Sequence, residues 1–288
     1  MLYNLLYLVP KNWLSRAVGR AVERRWPFGL HRVIRDALIR QFKPDVAEAE
    51  WPLDRYPTWQ AFFTRRLKPG ARPLDAAALV CPVDGMLTSR GRLPASMTSD
   101  GSDLRLGQIK GIDYSLRDLL AGWDPSPYAG GAYLTVYLAP WNYHRIHAPA
   151  DAAVTRARHV PGALWPVNAW SVGHIKGLFA VNDRVLVEME TKAPVAGRMT
   201  IALVGATNVG RTTLAFSDIR GNAGTGSASR DFAPPASVPL SKGGDLACFE
   251  MGSTIVLVLD AAWAARLRPG LLEDATPVPV RLGQGLST

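Results

Sequence analysis

Apolar and polar positions follow two periods along this chain. Between residues 11 and 40 the spacing is helical: Trp13, Leu14, Ala17, Val18, Ala21 and Val22 share one face, and Leu30, Val33, Ile34, Ala37 and Leu38 share another. Residues 55–68 predict a short helix begun by Thr58. Beyond Pro69-Gly70 the pattern becomes that of short β-prone runs separated by turn residues, at 78–81, 85–90, 131–138, 152–159, 184–191, 199–204, 212–216 and 254–259. Helical spacing returns only at 114–120 and 260–266. Residues 217–239 are rich in Gly, Ser, Ala and Pro and predict a long loop. The expected architecture is α+β. A helical segment over 1–45 precedes a single β-rich domain over 46–288, with barrel- or sandwich-like sheets.

Composition narrows the class. With 288 residues and 48% apolar content the chain can bury a sizeable core, which excludes a disordered polypeptide. Two cysteines, Cys81 and Cys248, exclude a disulfide scaffold and a cysteine-rich zinc site. No apolar run approaches the roughly 20 residues a membrane-spanning helix needs.

The formal charge of +9 is unevenly placed. The first 40 residues hold eight basic side chains, among them Arg16, Arg20 and Arg24 at four-residue intervals, against two acidic ones. They open with an apolar patch, Leu2–Val9 apart from Asn4, which lacks the basic start and cleavage site of a signal peptide. Basic amphipathic helices with Trp and Tyr near the seam suit the interface of an anionic membrane; ordinary surface helices packed on a core fit the same pattern. Nucleic acid is the weaker partner, since no recognised nucleic-acid motif accompanies the charge.

Three constellations could carry chemistry. Gly205-Ala-Thr-Asn-Val-Gly-Arg-Thr212 nearly matches a phosphate-binding loop, but Arg211 replaces the lysine and strand-like residues follow where a helix must open. A tight turn between strands is the better reading. Tyr143-His144-Arg145-Ile146-His147-Ala148-Pro149 places two histidines three apart, which on a strand point to opposite faces and in a bend can meet at one site. No nearby carboxylate or cysteine completes a zinc set with them. Phe249-Glu250-Met251-Gly252-Ser253-Thr254 precedes the apolar run 255–259. It is not a nucleophile elbow, because no helix follows. Glycine before serine does uncover the Gly252 carbonyl, so the Ser253 hydroxyl can attack its own preceding peptide bond.

With these blocks in view the chain resembles the phosphatidylserine decarboxylases of the bacterial membrane-associated proenzyme type. The matching blocks run in order: Phe62-Phe63 with Arg65, Arg66 and Arg72-Pro73; Pro82-Val-Asp84-Gly85; Tyr143 to Pro149; Val160-Pro-Gly162 with Pro166-Val-Asn168; Phe179 to Val185; Val204 to Gly210; Lys242-Gly243; and Phe249 to Thr254. Met251 replaces the commoner leucine, and Asp245 and Ala247 stand where glutamate and glycine are usual.

The resemblance implies a zymogen that cuts itself between Gly252 and Ser253 into 1–252 (beta chain) and 253–288 (alpha chain). Ser253 would become a covalent pyruvoyl group, with neither metal nor pyridoxal phosphate. It implies Asp84 and His147 as the relay that activates Ser253. The pyruvoyl carbonyl would form a Schiff base with phosphatidylserine, and His144 would assist decarboxylation or reprotonation, giving phosphatidylethanolamine and CO2. The implied partners are the substrate, an anionic membrane surface and the chain's own second fragment, a heterodimer open to further dimerisation. The implied location is the cytoplasmic side of the cell membrane, held peripherally. Rival classes are a serine hydrolase using Ser253, His147 and Asp84, which stays intact, and a non-catalytic membrane-binding β-barrel protein.

Overall fold

The structure, a computed structural model, describes residues 11–96, 104–108, 112–207, 211–222, 229–233, 237–250 and 253–288. The apolar patch at residues 2–9, the turn residues 208–210 and both Met251 and Gly252 lie outside the described residues. In chain order the strands are β1 (Gly85–Arg92), β2 (Arg105–Gly107), β3 (Asp113–Ser115), β4 (Ala132–Leu138), β5 (Arg145–His147), β6 (Ala152–Val160), β7 (Arg184–Thr191), β8 (Gly197–Val204), β9 (Thr212–Leu214), β10 (Arg230–Phe232), β11 (Val238–Leu240), β12 (Asp245–Phe249), β13 (Ser253–Leu259) and β14 (Val278–Val280). The helices used below are α1 (Lys11–Glu23), α2 (Leu30–Phe42) and α3 (Trp59–Phe63).

Strands β10-β6-β7-β8-β13-β4-β1-β14 form one antiparallel sheet, with β11 also on β6. The central strand β13 carries Ile255-Val-Leu-Val-Leu259, an unbroken apolar run because both its faces are covered. Ile255, Leu257 and Leu259 face one core with Leu134, Val136, Ile201 and Leu203. Val256 and Val258 face a second core with Tyr133, Ala202 and Val204. The first core is closed by a small sheet, β5-β12-β9, through Ile146, Phe249 and Leu214. The sequence-based α+β reading, β-rich with packed sheets behind N-terminal helices, therefore holds.

Details differ from the sequence pattern. Residues 78–81 form no strand: the Val80 N–H bonds to Pro149 O and the Cys81 N–H to Gln284 O, so the segment divides its hydrogen bonds between two neighbours. Within 217–239, β10 and β11 pair with β6 where a loop was expected. The turn after Val204 is flanked by strands β8 and β9, and Arg211 bonds to Glu23 and Glu250 (3.0 Å each), so its guanidinium serves carboxylates.

The N-terminal helices form around their apolar faces. Val22 packs with Ala49, Tyr56, Trp59, Phe62 and Phe63, and Leu38, Ile39 and Phe42 press against the same cluster, so packing runs across position 45. Thr58 starts α3 as expected, its hydroxyl accepting the Ala61 N–H at 3.2 Å. Arg35, one of the basic residues of this segment, is buried and donates to the carbonyls of Leu53 (2.9 Å) and Tyr56 (2.6 Å). Trp13, Phe28, Leu30 and Val33 are exposed.

Candidate active site

Three strands of the large sheet end at one rim. Ser253, the first residue of β13, pairs with Leu138, the last of β4; Thr254 pairs with Tyr137 on one side and with Val204, the last of β8, on the other. The backbone of Ser253 thus sits at the rim while Thr254 is already buried in the sheet. The Ser253 side chain lies outside what the structure describes, as do Met251 and Gly252 before it.

His144 lies between the end of β4 and the start of β5. Its ring is fully buried, 4.0 Å from the Phe63 ring centroid. Nδ1 lies 2.9 Å from the Asn142 carbonyl, which can only accept, so Nδ1 carries the proton of the neutral ring. Nε2 then holds the lone pair, and it is a buried atom with no hydrogen-bond partner among the described residues. Burial pulls the pKa down to about 3; the carbonyls of Asn142 and Leu138 oppose this and Arg65 adds to it. Leu138 is also the strand partner of Ser253, which places His144 beside the rim.

His147, at the end of β5, has both ring nitrogens occupied. Nδ1 donates to the Gly243 carbonyl at 2.8 Å, and Nε2 accepts from the Tyr143 hydroxyl at 3.1 Å, with the Tyr143 ring stacked at 5.7 Å. Gly243 adopts φ +78°, and a side chain there would meet Leu74 at 2.5 Å, so glycine is needed where this carbonyl is presented. Asp245 lies opposite His147 in the β5–β12 pairing and sends Oδ1 to 3.6 Å from Nδ1. Its other oxygen takes Arg66 at 2.7 Å and Arg145 at 3.5 Å. Burial lowers the His147 pKa; the Gly243 carbonyl and Asp245 oppose that, while Arg145 and Arg66 add to it.

Asp84 is buried at the start of β1, and its carboxylate is held by Arg72 through Nε (2.9 and 3.0 Å) and Nη2 (2.6 Å) and by the Leu282 N–H (2.9 Å). Arg72 also grips Glu48 at 2.9 and 2.8 Å, and these hydrogen bonds raise its pKa, the Asp84 bond most. Asp84 and His147 share no hydrogen bond among the described residues; they meet only through backbone, the His147 N–H reaching Pro82 O at 3.0 Å. The next residue, Gly85, packs so closely on β4 that a Cβ would stand 2.4 Å from Tyr137 O.

Of the residues read from the sequence, the structure brings His144 to the rim that carries Ser253. His147 and Asp84 each have other partners. Sequence reasoning missed Arg72 as the holder of Asp84, Tyr143 as the hydroxyl on His147, and Asp245 as a carboxylate beside His147. Arg72 and Tyr143 stand inside quoted blocks, while Asp245 enters only as a departure beyond Lys242-Gly243, where the signal was an acid three residues after Lys242. No group of three or more metal-ligating side chains occurs among the described residues.

The fold and the site define a β-rich α+β protein whose central sheet carries Ser253 at its rim, with the two histidines of one short motif in unlike surroundings. The chain belongs to the phosphatidylserine decarboxylase family, whose profile matches residues 59–286. It is 41% identical to a phosphatidylserine decarboxylase proenzyme of Anaeromyxobacter sp., covering 98% of this chain and 96% of that one. It is 41% identical to the proenzyme of Halorhodospira halophila (97% and 91% covered) and 39% identical to that of Myxococcus xanthus (89% and 88%). The family is one of carboxy-lyases.

Proposed function

We propose that this chain is a self-processing decarboxylase that converts phosphatidylserine to phosphatidylethanolamine and CO2. The observation that supports the reading is the backbone of Ser253 at the rim, paired with Leu138, whose carbonyl also acts on the buried ring of His144. The Ser253 hydroxyl attacks the Gly252 carbonyl and the acyl group moves from nitrogen to oxygen. Elimination breaks the ester, and hydrolysis of the resulting dehydroalanine takes in water and expels ammonia. The pyruvoyl group left on residue 253 supplies an electrophilic carbonyl that condenses with an amine and takes up the electron pair released as CO2 leaves.

Residues of this chain do the proton work. His147 serves as base toward Ser253, with Asp84 as the supporting acid. The Tyr143 hydroxyl stands on His147 Nε2, so a proton reaching that nitrogen passes through the hydroxyl or displaces it. His144 is neutral near pH 7 because burial disfavours its charged form, and in this reading it assists decarboxylation or the reprotonation of the α-carbon. The free Nε2 of His144 also supports a second reading, with the roles of the two histidines exchanged. One assay separates them: a gel for fragment 253–288 beside CO2 release, on His144→Ala, His147→Ala, Asp84→Ala and Ser253→Ala. If none of these alters processing or turnover, the proposal fails.

After cleavage the two pieces stay together as a heterodimer. Fragment 253–288 contributes β13, between β4 and β8, and β14 on β1, while Leu282 donates to Asp84. Further association of such heterodimers is part of the same reading.

We also propose peripheral attachment to an anionic membrane on the cytoplasmic side. No helix among the described residues is long and apolar enough to cross a bilayer. Exposed Trp13, Phe28, Leu30 and Val33 stand among exposed Arg20, Arg24, Arg25, Arg32 and Arg40, the mixture that suits an interface. Binding to anionic liposomes in flotation should fall with salt and weaken when Arg20, Arg24 and Arg32 become Glu. Unchanged binding would make these helices structural.

A further inference from the structure

The segment to be cut is strung between two fixed points. Downstream, the backbone of Ser253 pairs with Leu138. Upstream, β12 ends at Phe249, which pairs with Thr212 and whose N–H bonds to the His144 carbonyl at 3.0 Å. Glu250 follows, its N–H bonded to the Arg211 carbonyl at 2.8 Å. From Glu250 to Gly252 is a step of two residues, which reaches at most about 7 Å. The place of Glu250 therefore limits the place of the Gly252 carbonyl.

The Arg211 side chain adds a second hold on Glu250. Its Nε donates to Glu250 Oε2 at 3.0 Å, and its Nη2 donates to the two carboxylate oxygens of Glu23 at 3.1 and 3.0 Å. Glu23 is the last residue of α1, so one guanidinium joins the basic amphipathic helix to the residue that leads into the cut. Two other cations compete for Glu250. It lines a groove of about 390 Å3 with Arg66 and Arg145, the pair that lies against Asp245 beside His147. Without the Arg211 charge, the Glu250 carboxylate is left in that groove with those two cations.

We infer that Arg211 is a positioning residue for self-cleavage: by holding Glu250 toward α1 it keeps this carboxylate off Arg66 and Arg145, and so fixes the upstream end of the segment that Ser253 cuts. The inference rests on the self-processing reading and adds to it a residue that touches no reacting atom. Attack on the Gly252 carbonyl needs the reacting atoms about 3–3.5 Å apart, and a misplacement of about 1 Å can cost on the order of 10²-fold. After the bond is cut nothing is left to position, so Arg211 acts on processing and not on turnover.

The test follows processing by pulse-chase in a cell-free translation mix. Arg211→Gln, which keeps much of the stem and loses the charge, should process about tenfold more slowly, a part of the loss that a full ångström brings. Adding Glu250→Gln to it should slow processing no further, as expected of two groups that act as one. Reversing all three signs, in Glu23→Arg with Arg211→Glu and Glu250→Arg, should restore most of the rate. CO2 release per molecule of fragment 253–288 should match wild type throughout. The thermal midpoint of the uncut Ser253→Ala chain should hardly move when Arg211→Gln is added, because a pair this exposed contributes little to stability. Processing of Arg211→Gln at the wild-type rate overturns the inference. So does slowing that comes with an equal loss of turnover, or that a folded sign-reversed variant does not relieve. Should the sign-reversed variant fail to fold, the double variant decides: losses that multiply overturn the pairing. A wild type that stays whole ends the self-processing reading and this inference with it, whereas a wild type that processes beside an unaltered Arg211→Gln overturns this inference alone.

Discussion

Two histidines three residues apart in one short motif occupy unlike surroundings. His144 is sealed under Phe63 and keeps one nitrogen unpartnered; His147 has both nitrogens engaged and stands among Tyr143, Asp245, Arg66 and Arg145. A buried ring without an acid beside it stays neutral and offers a lone pair. A ring with a carboxylate at 3.6 Å can hold positive charge more readily, because Asp245 raises its proton affinity. The proposed division of labour rests on these environments: one ring is held neutral in a dry site, and the other can carry charge as a relay.

The largest expected effects come from exchanging the histidines one at a time. His147→Ala should accumulate uncut chain. His144→Ala should still process, at least in part, and lose on the order of 10²-fold or more in CO2 release, the usual scale of general acid–base catalysis. The reverse pattern on the same gel and assay would exchange the roles.

Asp84 tests whether a distant carboxylate serves His147 or only the scaffold. Asp84 is buried and Arg72 half-buried: removing Arg72 leaves Asp84 only the Leu282 N–H, at a cost of up to about 3–5 kcal/mol, whereas removing Asp84 leaves Arg72 its Glu48 partner. Both Arg72→Ala and Asp84→Ala should lower the thermal midpoint, Arg72→Ala more. If Asp84 also supports His147, Asp84→Ala alone should further slow processing when both variants are compared at equal folded fraction; equal rates would assign Asp84 to the scaffold.

Asp245 sharpens the contrast through pH. Burial lowers the His147 pKa and Asp245 opposes it, so Asp245→Asn should lower it further. The acid limb of the processing rate, where the base is lost to protonation, should then move to lower pH, and Asp245→Glu should retain it. A limb unmoved in Asp245→Asn would remove Asp245 from the site. The pulse-chase for this runs in a cell-free translation mix, so that precursor is present at the start.

For His144 the pH signature is in stability. The unfolded chain takes up this proton below about pH 6.5, while the folded ring does so only near 3. The unfolded state therefore binds more protons between these values, and stability should fall as pH drops through that window. Denaturant midpoints from pH 7 to 4 should show a shallower fall in His144→Gln; identical slopes would show that this ring is already solvated.

Much of this was legible in the sequence where one residue determines its own environment. The unbroken apolar run at 255–259 could be read as a buried strand, and Thr58 as a helix cap, because each depends on local pattern. The P-loop-like segment could be set aside for the strand after it. What could not be read depends on long-range pairing: Arg72 reaching Asp84 and Glu48, Arg35 turning inward to two carbonyls, and Asp245 facing His147 across a ladder almost a hundred positions apart. Residues 217–239 looked like loop because β10 and β11 are only three residues each and owe their form to β6.

The most direct measurement of the central claim is the intact mass of the purified protein. The account predicts two species, residues 1–252 and residues 253–288, with the second lighter by one ammonia than the unmodified peptide because a pyruvoyl group replaces its serine. A single full-length mass in a preparation that releases CO2 from phosphatidylserine would contradict it.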